Sequence, residues 1–133
     1  MEAAAEWTRT EPRLRDLPLG LFGASTGSAA ALIAAAQLGG RVSAVVSRGG
    51  RPDLAGPVAL AAVQAPTLLV VGGADHAVIG HHEQALPLLR CPHRLEIVPG
   101  AGHLFEERGA LQLVGDLAAD WFTRHLQTAA QAA

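Results

Sequence analysis

The chain has 133 residues, of which 50% are hydrophobic and 17% are charged, and its formal net charge at pH 7 is −2. A chain of this length fits one domain with one core, and the lack of a basic excess argues against binding to nucleic acid or to an anionic membrane. Only 4% of the residues are aromatic and tyrosine is missing, which favours tight packing of small aliphatic side chains over a base-stacking surface.

Signals for a particular compartment are sparse. Cys91 is the only cysteine, so an intrachain disulfide is impossible, and we expect a cytoplasmic protein. Cys91 itself is expected to be a small residue of the core or its boundary. Met1 to Asp16 alternates acidic residues with arginines and lacks the apolar core of a signal peptide. Leu17 to Gly40 is nearly uncharged but is interrupted by glycines and polar residues, so it is interpreted as strand, turn and helix and not as a membrane span.

Strands and helices are predicted to alternate along the chain. A surface helix over 2–15 is expected to break near Thr10, because Pro12 cannot continue it. Glycine and proline mark the turns between the later elements. Strands are predicted at Leu17–Phe22, Val42–Val46, Thr67–Val71 and Arg94–Val98, and helices at 29–38, in the segment that ends at Val63, at about 79–89 and at about 107–126.

This alternation favours an α/β fold, a three-layer sandwich with a short, mostly parallel sheet of about four strands. Continuous runs of Val, Leu and Ile are typical of parallel strands that helices bury on both faces. We expect a single domain, with an N-terminal helix over 1–16, the core over 17–126 and a flexible tail over 127–133. Trp121 and Phe122, on the last helix, are expected to lie in the core.

A nucleophile motif lies where the first strand meets a helix. Gly23-Ala24-Ser25-Thr26-Gly27 matches Gly-x-Ser-x-Gly, a sharp turn that lifts a serine hydroxyl clear of the sheet and admits only small residues two positions to either side. The N–H of Thr26 opens the helix, whose positive end would help it to stabilise an oxyanion. Taken alone, the motif is equally consistent with Ser25 as a simple helix N-cap.

An acid and a base follow in the loops after two later strands. Asp75 ends the segment Gly72-Gly73-Ala74-Asp75 after the third strand, and His103 ends Gly100-Ala101-Gly102-His103 after the fourth. Hydrolases of the α/β class place nucleophile, acid and base in this chain order, and parallel sheets bind ligands beyond the carboxyl ends of their strands. We therefore expect Ser25, His103 and Asp75 to meet there as nucleophile, base and orienting acid, whereas the alternative is an unrelated turn Asp and surface His.

Taken in order, four segments resemble the α/β-hydrolases and, within them, the dienelactone hydrolase-like proteins. The resemblance runs from about Asp16 to Leu126. It implies nucleophile, acid and base roles for Ser25, Asp75 and His103, and an activity on esters or lactones that needs no cofactor. Dienelactone hydrolase itself uses a cysteine nucleophile, so Ser25 makes carboxylic-ester hydrolysis the expected activity. The four segments are Leu19 to Gly27, Ser47 to Leu54, Pro66 to Asp75 and Gly100 to Phe105.

The resemblance also implies a missing half, because the sheet of this family has about eight strands and the present chain supplies only the last four. The absent part normally contributes the second oxyanion N–H, and no His-Gly-Gly-Gly segment occurs here. The strand Leu17–Phe22 is then left with an open hydrogen-bonding edge, which is a template for another strand. We expect a homodimer through this edge, or a partner that carries the missing strands.

Other polar residues receive structural interpretations. His76, His81 and His82 lack a firm metal-ligand spacing, and the last two face different ways on a helix, so we predict no metal site. Arg48 and Arg51 follow the second strand on the expected catalytic edge and either hold an acidic substrate group or belong to a solvated, glycine-rich loop. The solvated loop is the favoured interpretation.

The main functional hypothesis is a small serine hydrolase of the esterase type that acts on a small-molecule ester. We expect it to bind neither nucleic acid nor a membrane. One alternative is a non-catalytic hydrolase remnant that serves as a dimerisation or interaction module, and another is a separately encoded part of a longer hydrolase. Trp7 bears on the module hypothesis, because an exposed aromatic ring can anchor an interface. Packing of this ring against the sheet is the more ordinary expectation.

Overall fold

Parallel strands with helices on both faces make up the fold. A computed structural model describes residues 1–127 and places four strands in the order β1-β2-β3-β4. The predicted α/β fold with four parallel strands is confirmed, while the tail predicted at 127–133 lies, from residue 128 on, outside the described residues. The strands are β1 (Leu19–Ala24), β2 (Val42–Arg48), β3 (Thr67–Gly72) and β4 (His93–Val98), and the helices in this range are α1 (Glu2–Thr10), α2 (Thr26–Leu38), α3 (Gly56–Ala62), α4 (His76–Ala85) and α5 (Ala110–His125).

Two hydrophobic clusters fill the space between the sheet and its helices. On one face, Leu21, Val45 and Leu69 pack against α2, with α3 and α4 beside it. On the other face, Val46 and Val70 pack against α5. Successive residues of a strand point to opposite faces, so burial on both faces requires an unbroken apolar run and not an alternating one.

Small residues allow the helices to approach the sheet closely. In α2, Ala31, Ala34 and Ala35 are buried. In β1, a Cβ added to Gly20 would come within 2.7 Å of the ring of Phe122 on α5. The indole N–H of Trp121 donates to the carbonyl of Pro66 at 3.2 Å, and both aromatic residues of α5 pack in the core as predicted.

The strand boundaries differ slightly from the predicted ones. β1 begins at Leu19 and not at Leu17, because Pro18 lacks the N–H that a ladder position needs. It continues to Ala24, which is paired with Arg48, so β1 and β2 both extend two residues beyond their predicted ends at 22 and 46. The open edge that we assigned to Leu17–Phe22 therefore belongs to Leu19–Ala24.

The helix boundaries differ more, and in a way that matters for the site. α2 begins at Thr26 and α4 at His76, each three residues before the predicted starts at 29 and 79. Ser25 and Asp75 therefore lie immediately before a helix. α5 begins at Ala110, later than the predicted 107, after Gly109 with a φ of 80°.

The N-terminal helix packs on the turn that follows α2. α1 ends at Thr10, where the proline was predicted to break it. Glu6 accepts a hydrogen bond from Arg41 at 2.6 Å, and Ala5, also on α1, is buried. Trp7 is 58% exposed, so the expected packing of its ring against the sheet is wrong. No helix in residues 1–127 is both long and apolar enough to cross a bilayer.

Candidate active site

Ser25 occupies a strained turn between β1 and α2. Its φ and ψ are 54° and −127°, a conformation that residues with a side chain rarely adopt and that costs on the order of 1–3 kcal/mol. The side chain makes no capping hydrogen bond to α2, so the N-cap interpretation lacks the contact that defines a cap. A strained, partly exposed serine between a parallel strand and a helix is the arrangement of a nucleophile elbow.

The two glycines of the motif contribute unequally. A Cβ on Gly23 would overlap the carbonyl oxygen of Gly27 and lie 2.7 Å from the Cα of Ser28, because the first turn of α2 passes close to this position. A Cβ on Gly27 would meet nothing within 4 Å. The expectation that only small residues fit on both sides of the turn is therefore right for Gly23 and wrong for Gly27, which faces open space.

The imidazole of His103 stands between Ser25 and Asp75. His103 Nε2 lies 3.4 Å from Ser25 Oγ, and His103 Nδ1 lies 2.8 Å from Asp75 Oδ2. A carboxylate only accepts hydrogen bonds, so Nδ1 carries the proton and Nε2 presents its lone pair to the hydroxyl. The longer of the two distances is typical of hydrolase sites without bound substrate. This arrangement suits transfer of a proton from Ser25 to His103.

Glycines also bring the acid and base loops together at the carboxyl end of the sheet. A Cβ on Gly72 would overlap the carbonyl oxygen of Ala101, so β3 can approach the loop after β4 only at a glycine. The N–H of Gly73 donates to the carbonyl of Val98 at 2.8 Å, and that of Ala74 donates to the carbonyl of Ala101 at 3.0 Å. These two bonds fix the loop of Asp75 against the loop of His103.

A second strained residue anchors the histidine loop. Phe105 has a φ of 54° and is 1% exposed, with its side chain in the cluster beneath α5. The guanidinium of Arg48 lies 5.6 Å from the centre of this ring, within cation–π range. A Cβ on Gly49 would lie 3.6 Å from Cε1 of His103, so the loop after β2 also borders the imidazole of His103.

Thr26 supplies a backbone donor beside Ser25. As the first residue of α2, it has an N–H in the helical turn that finds no carbonyl within its own helix. The helix dipole adds partial positive charge at the same point. This N–H is therefore a candidate to stabilise an oxyanion formed at Ser25.

The other charged groups near the edge are held by structural contacts. Arg51 donates two hydrogen bonds to Asp53, at 2.9 and 2.8 Å, which lower the pKa of that carboxyl. His81 Nδ1 lies 3.5 Å from the same carboxylate. Arg51 is therefore half-buried in an ion pair, and the favoured interpretation of a solvated loop is wrong for it.

His82, the next residue along α4, is fully buried. Its Nδ1 bonds to the carbonyl of Val78 at 2.8 Å, and burial lowers the pKa of its imidazole. His81 and His82 thus face different ways, as expected from their positions on one helix. Among residues 1–127, no group of three or more His, Cys, Asp or Glu side chains lies close enough to hold a metal ion.

Three residues that support the site were given no role from the sequence. Ser28 is buried one helical turn after the nucleophile, and its hydroxyl donates to the carbonyl of Ser25 at 2.9 Å. Gly50 is packed against Ser28 and Ser47, and Phe105 anchors the histidine loop. The only sequence signals were a second serine after the motif, a Gly-Gly pair and an aromatic residue two positions after the base.

Comparisons with known proteins bear on the family of the chain and on its fold. The sequence matches the Dienelactone hydrolase family over residues 1–132. It is similar to the crystal structure of dienelactone hydrolase from Anabaena variabilis, with 54% identity and a TM-score of 0.92 over 95% of this chain and 58% of that one. It is also similar to the structure of esterase PE8, with 26% identity and a TM-score of 0.69 over 89% of this chain and 57% of that one.

Among curated proteins, the chain is similar to one from Mycobacterium tuberculosis strain H37Rv that is named "Putative phosphoribosyl transferase". The two are 54% identical over 120 residues, which make up 90% of this chain and 27% of that protein. The chain thus spans a little over half the length of these two solved relatives and about a quarter of the curated one.

Proposed function

Because the chain belongs to the dienelactone hydrolase family, we propose that it is a serine hydrolase of the esterase type, which cleaves carboxylic esters, lactones included. The observation that carries this proposal is the line of contacts from Ser25 Oγ through the ring of His103 to the carboxylate of Asp75, at 3.4 and 2.8 Å. An activated serine beside a backbone N–H at a helix N-terminus matches the requirements of acyl transfer.

The proposed reaction proceeds through an acyl-enzyme. Ser25 Oγ attacks the carbonyl carbon while His103 Nε2 takes the hydroxyl proton, and the C–O bond then breaks as His103 returns that proton to the leaving alcohol. A water molecule then attacks the acyl carbon while His103 Nε2 takes its proton, and the bond to Ser25 Oγ breaks as His103 returns that proton to Oγ and the carboxylic acid leaves. Asp75 holds the ring in the required tautomer and stabilises the imidazolium that forms in each half.

The oxyanion of each tetrahedral intermediate is proposed to bind the N–H of Thr26. Related hydrolases use two such donors, and the second comes from a loop that precedes the nucleophile strand. Loss of one oxyanion donor costs about 10²- to 10³-fold in turnover. We therefore expect the described residues to form a reactive nucleophile but a slow catalyst, until a second donor is supplied.

The outer edge of β1 is the proposed docking place for the polypeptide that supplies it. Within residues 1–127, β1 pairs with β2 only. On this flank Leu17 and Phe22 are 59% and 45% exposed, and Leu14, Leu17 and Leu19 line a cavity of about 420 Å³. An unpaired edge beside exposed apolar side chains is a template for strand addition.

We propose that the occupant of this edge is a polypeptide equivalent to the part of the Anabaena chain that the present chain does not match, about two fifths of its length. A second copy of the chain is the other occupant that the association experiment must distinguish. The complementary polypeptide would extend the parallel sheet and cover the flank of Ser25 beyond β1, whereas a second copy related by a two-fold axis would pair antiparallel to β1.

Labelling with a fluorophosphonate, followed by peptide mass spectrometry, tests the catalytic part of the proposal. We expect an adduct on Ser25, loss of that adduct in Ser25→Ala, and strongly slowed labelling in His103→Ala. Ser43→Ala, at a partly exposed serine of β2, is the matched control and should label normally. A folded sample that forms no adduct would instead favour the alternative function, a non-catalytic interaction module.

A further inference from the structure

The strained turn at Ser25 is held by hydrogen bonds to the end of β2, to the loop that follows it and to the first turn of α2. The backbone N–H of Ser25 donates to the carbonyl of Arg48 at 3.1 Å. The carbonyl of Ser25 accepts from the N–H of Ser28 and from the N–H of Arg51, both at 3.1 Å. A strained backbone conformation persists only where its surroundings over-determine it, so these contacts are the restraint that keeps the nucleophile raised.

The hydroxyl of Ser28 connects the turn to this loop. Ser28 Oγ donates to the carbonyl of Ser25 at 2.9 Å and accepts the N–H of Arg51 at 2.8 Å. The N–H of Arg51 also donates to the carbonyl of Ser25, so these three groups form a closed triangle of hydrogen bonds. Within it, the hydroxyl of Ser28 is both donor and acceptor. Ser28 is fully buried, so water cannot replace either bond without opening the core.

The loop is itself shaped to receive this hydroxyl. A Cβ on Gly50 would overlap the hydroxyl oxygens of both Ser28 and Ser47, so the loop reaches α2 only because this position is a glycine. Beyond it, Arg51 is tied to Asp53 by two hydrogen bonds, and Asp53 faces His81 on the helix that begins after Asp75. The hydroxyl of Ser28 thus joins the nucleophile turn to a loop that is braced against the acid-bearing element.

We propose that Ser28 is a positioning residue, whose hydroxyl holds the Ser25 turn against the loop at 48–53 and so keeps Ser25 Oγ in line with His103. This inference rests on the proposed function. Ser28 does not touch the reacting atoms; it acts through the carbonyl of Ser25 and the N–H of Arg51. Misplacement of a reacting atom by about 1 Å can cost on the order of 10²-fold in rate.

Ser47 offers a matched control in the same cluster. It is also fully buried and also lies against Gly50, but its hydroxyl has no hydrogen-bond partner among the described residues. Ser28→Ala and Ser47→Ala therefore remove the same atom from neighbouring sites, and only the first removes a link to Ser25. Any general effect of deleting a buried hydroxyl should appear in both variants.

The test is saturation kinetics of fluorophosphonate labelling at Ser25, with the folded fraction of each variant measured by thermal unfolding. We expect the maximal labelling rate of Ser28→Ala to fall about 10- to 100-fold while its half-saturating concentration stays unchanged, because placement of the nucleophile is altered and reagent binding is not. Ser47→Ala should label at the rate of the unsubstituted chain.

Equal labelling rates for Ser28→Ala and Ser47→Ala would overturn the inference while leaving the proposed function intact. If Ser28→Ala does not fold, Ser28→Cys offers the same comparison, because a thiol of similar size is a much weaker donor and acceptor. A normal rate for Ser28→Cys would likewise overturn the inference. Failure of the folded, unsubstituted chain to label at Ser25 would remove the proposed function itself, and this inference with it.

Discussion

The two flanks of Ser25 differ in how far the described residues build them. On the side of β2, β3 and β4, the end of β2 and the loop after it bond to both backbone groups of Ser25, and His103 approaches from the loop after β4. On the side beyond β1, Phe22 and Leu17 remain exposed and, within residues 1–127, no strand pairs with the outer edge. One flank is a braced network and the other is an open surface.

This difference separates two requirements of catalysis. Ser25, His103 and Asp75 lie in loops that follow three of the four strands, so their placement depends on the described strands and on the contacts between those loops. Exclusion of water and a second oxyanion donor require atoms beyond β1. Proton transfer can thus be tested on the described residues, whereas turnover is expected to depend on what covers the open flank.

The largest expected effect comes from breaking the braced flank at its acid. Asp75→Asn keeps the shape of the side chain but favours the wrong tautomer of His103, which should slow labelling of Ser25 on the order of 10³- to 10⁴-fold. Asp116→Asn, at an exposed position on α5, is the control and should leave the rate unchanged. Labelling of Asp75→Asn at the normal rate would show that the observed contact with His103 plays no part in activating Ser25.

The next effect concerns the turn itself and is measured as stability. Gly23→Ala places a methyl group against the carbonyl of Gly27, and overpacking of this kind costs about 1–3 kcal/mol in the free energy of unfolding. Gly27→Ala meets open space and should be neutral or stabilise by up to about 1 kcal/mol, since alanine is the better helix former. Chemical denaturation of both variants checks this asymmetry, which equal losses would contradict.

Buried His82 makes the stability of the braced flank depend on pH. Burial lowers the pKa of its imidazole in the folded state, so only the unfolded chain takes up the proton as pH falls below the unfolded value of about 6.5. The contribution of neutral His82 to the free energy of unfolding is therefore fully present above that pH and is lost as the pH falls towards the lowered pKa. The loss is about 1.4 kcal/mol for each unit by which folding lowers this pKa.

Unfolding curves recorded between pH 8 and pH 5 measure this loss. His82→Leu should flatten the dependence, whereas His76→Gln, at an exposed position on the same helix, should retain it. An unchanged slope in His82→Leu would assign the dependence to other groups.

The smallest effect on the isolated chain, and the most informative for the open flank, is expected at Phe22. Phe22→Ser should destabilise the chain alone by only about 1 kcal/mol, because about half of the ring is already exposed. It should weaken association through β1 about tenfold or more, as truncation of an aromatic anchor does. Val58→Ser, at an 84% exposed position on α3, is the control.

Sedimentation of the chain alone, and mixed with the unmatched part of the Anabaena enzyme, distinguishes the possible occupants. A complex that forms only in the mixture and weakens in Phe22→Ser supports the complementary polypeptide. A dimer of the chain alone that responds in the same way identifies the second copy. Association that weakens in Val58→Ser and not in Phe22→Ser would place the interface on α3.

Much of the site was predictable because its residues lie in short segments with strong local rules. Ser25 stands inside a five-residue turn motif, and Asp75 and His103 follow apolar strands directly. The carboxyl ends of parallel strands share one edge, so strand order along the chain was enough to bring these loops to one place. Ser28 was not predictable, because its importance comes from Arg51 and Gly50, which lie more than twenty positions away.

The sequence by itself determined the α/β class, the four parallel strands and the edge that carries Ser25, Asp75 and His103, because unbroken apolar runs and glycine turns are local signals with few structural solutions. Only the tertiary structure decided the rest. It set the distances from His103 to its two neighbours, left Trp7 exposed and Gly27 unconfined, and paired Arg51 with Asp53. Those outcomes depend on contacts between distant segments, which no local pattern encodes.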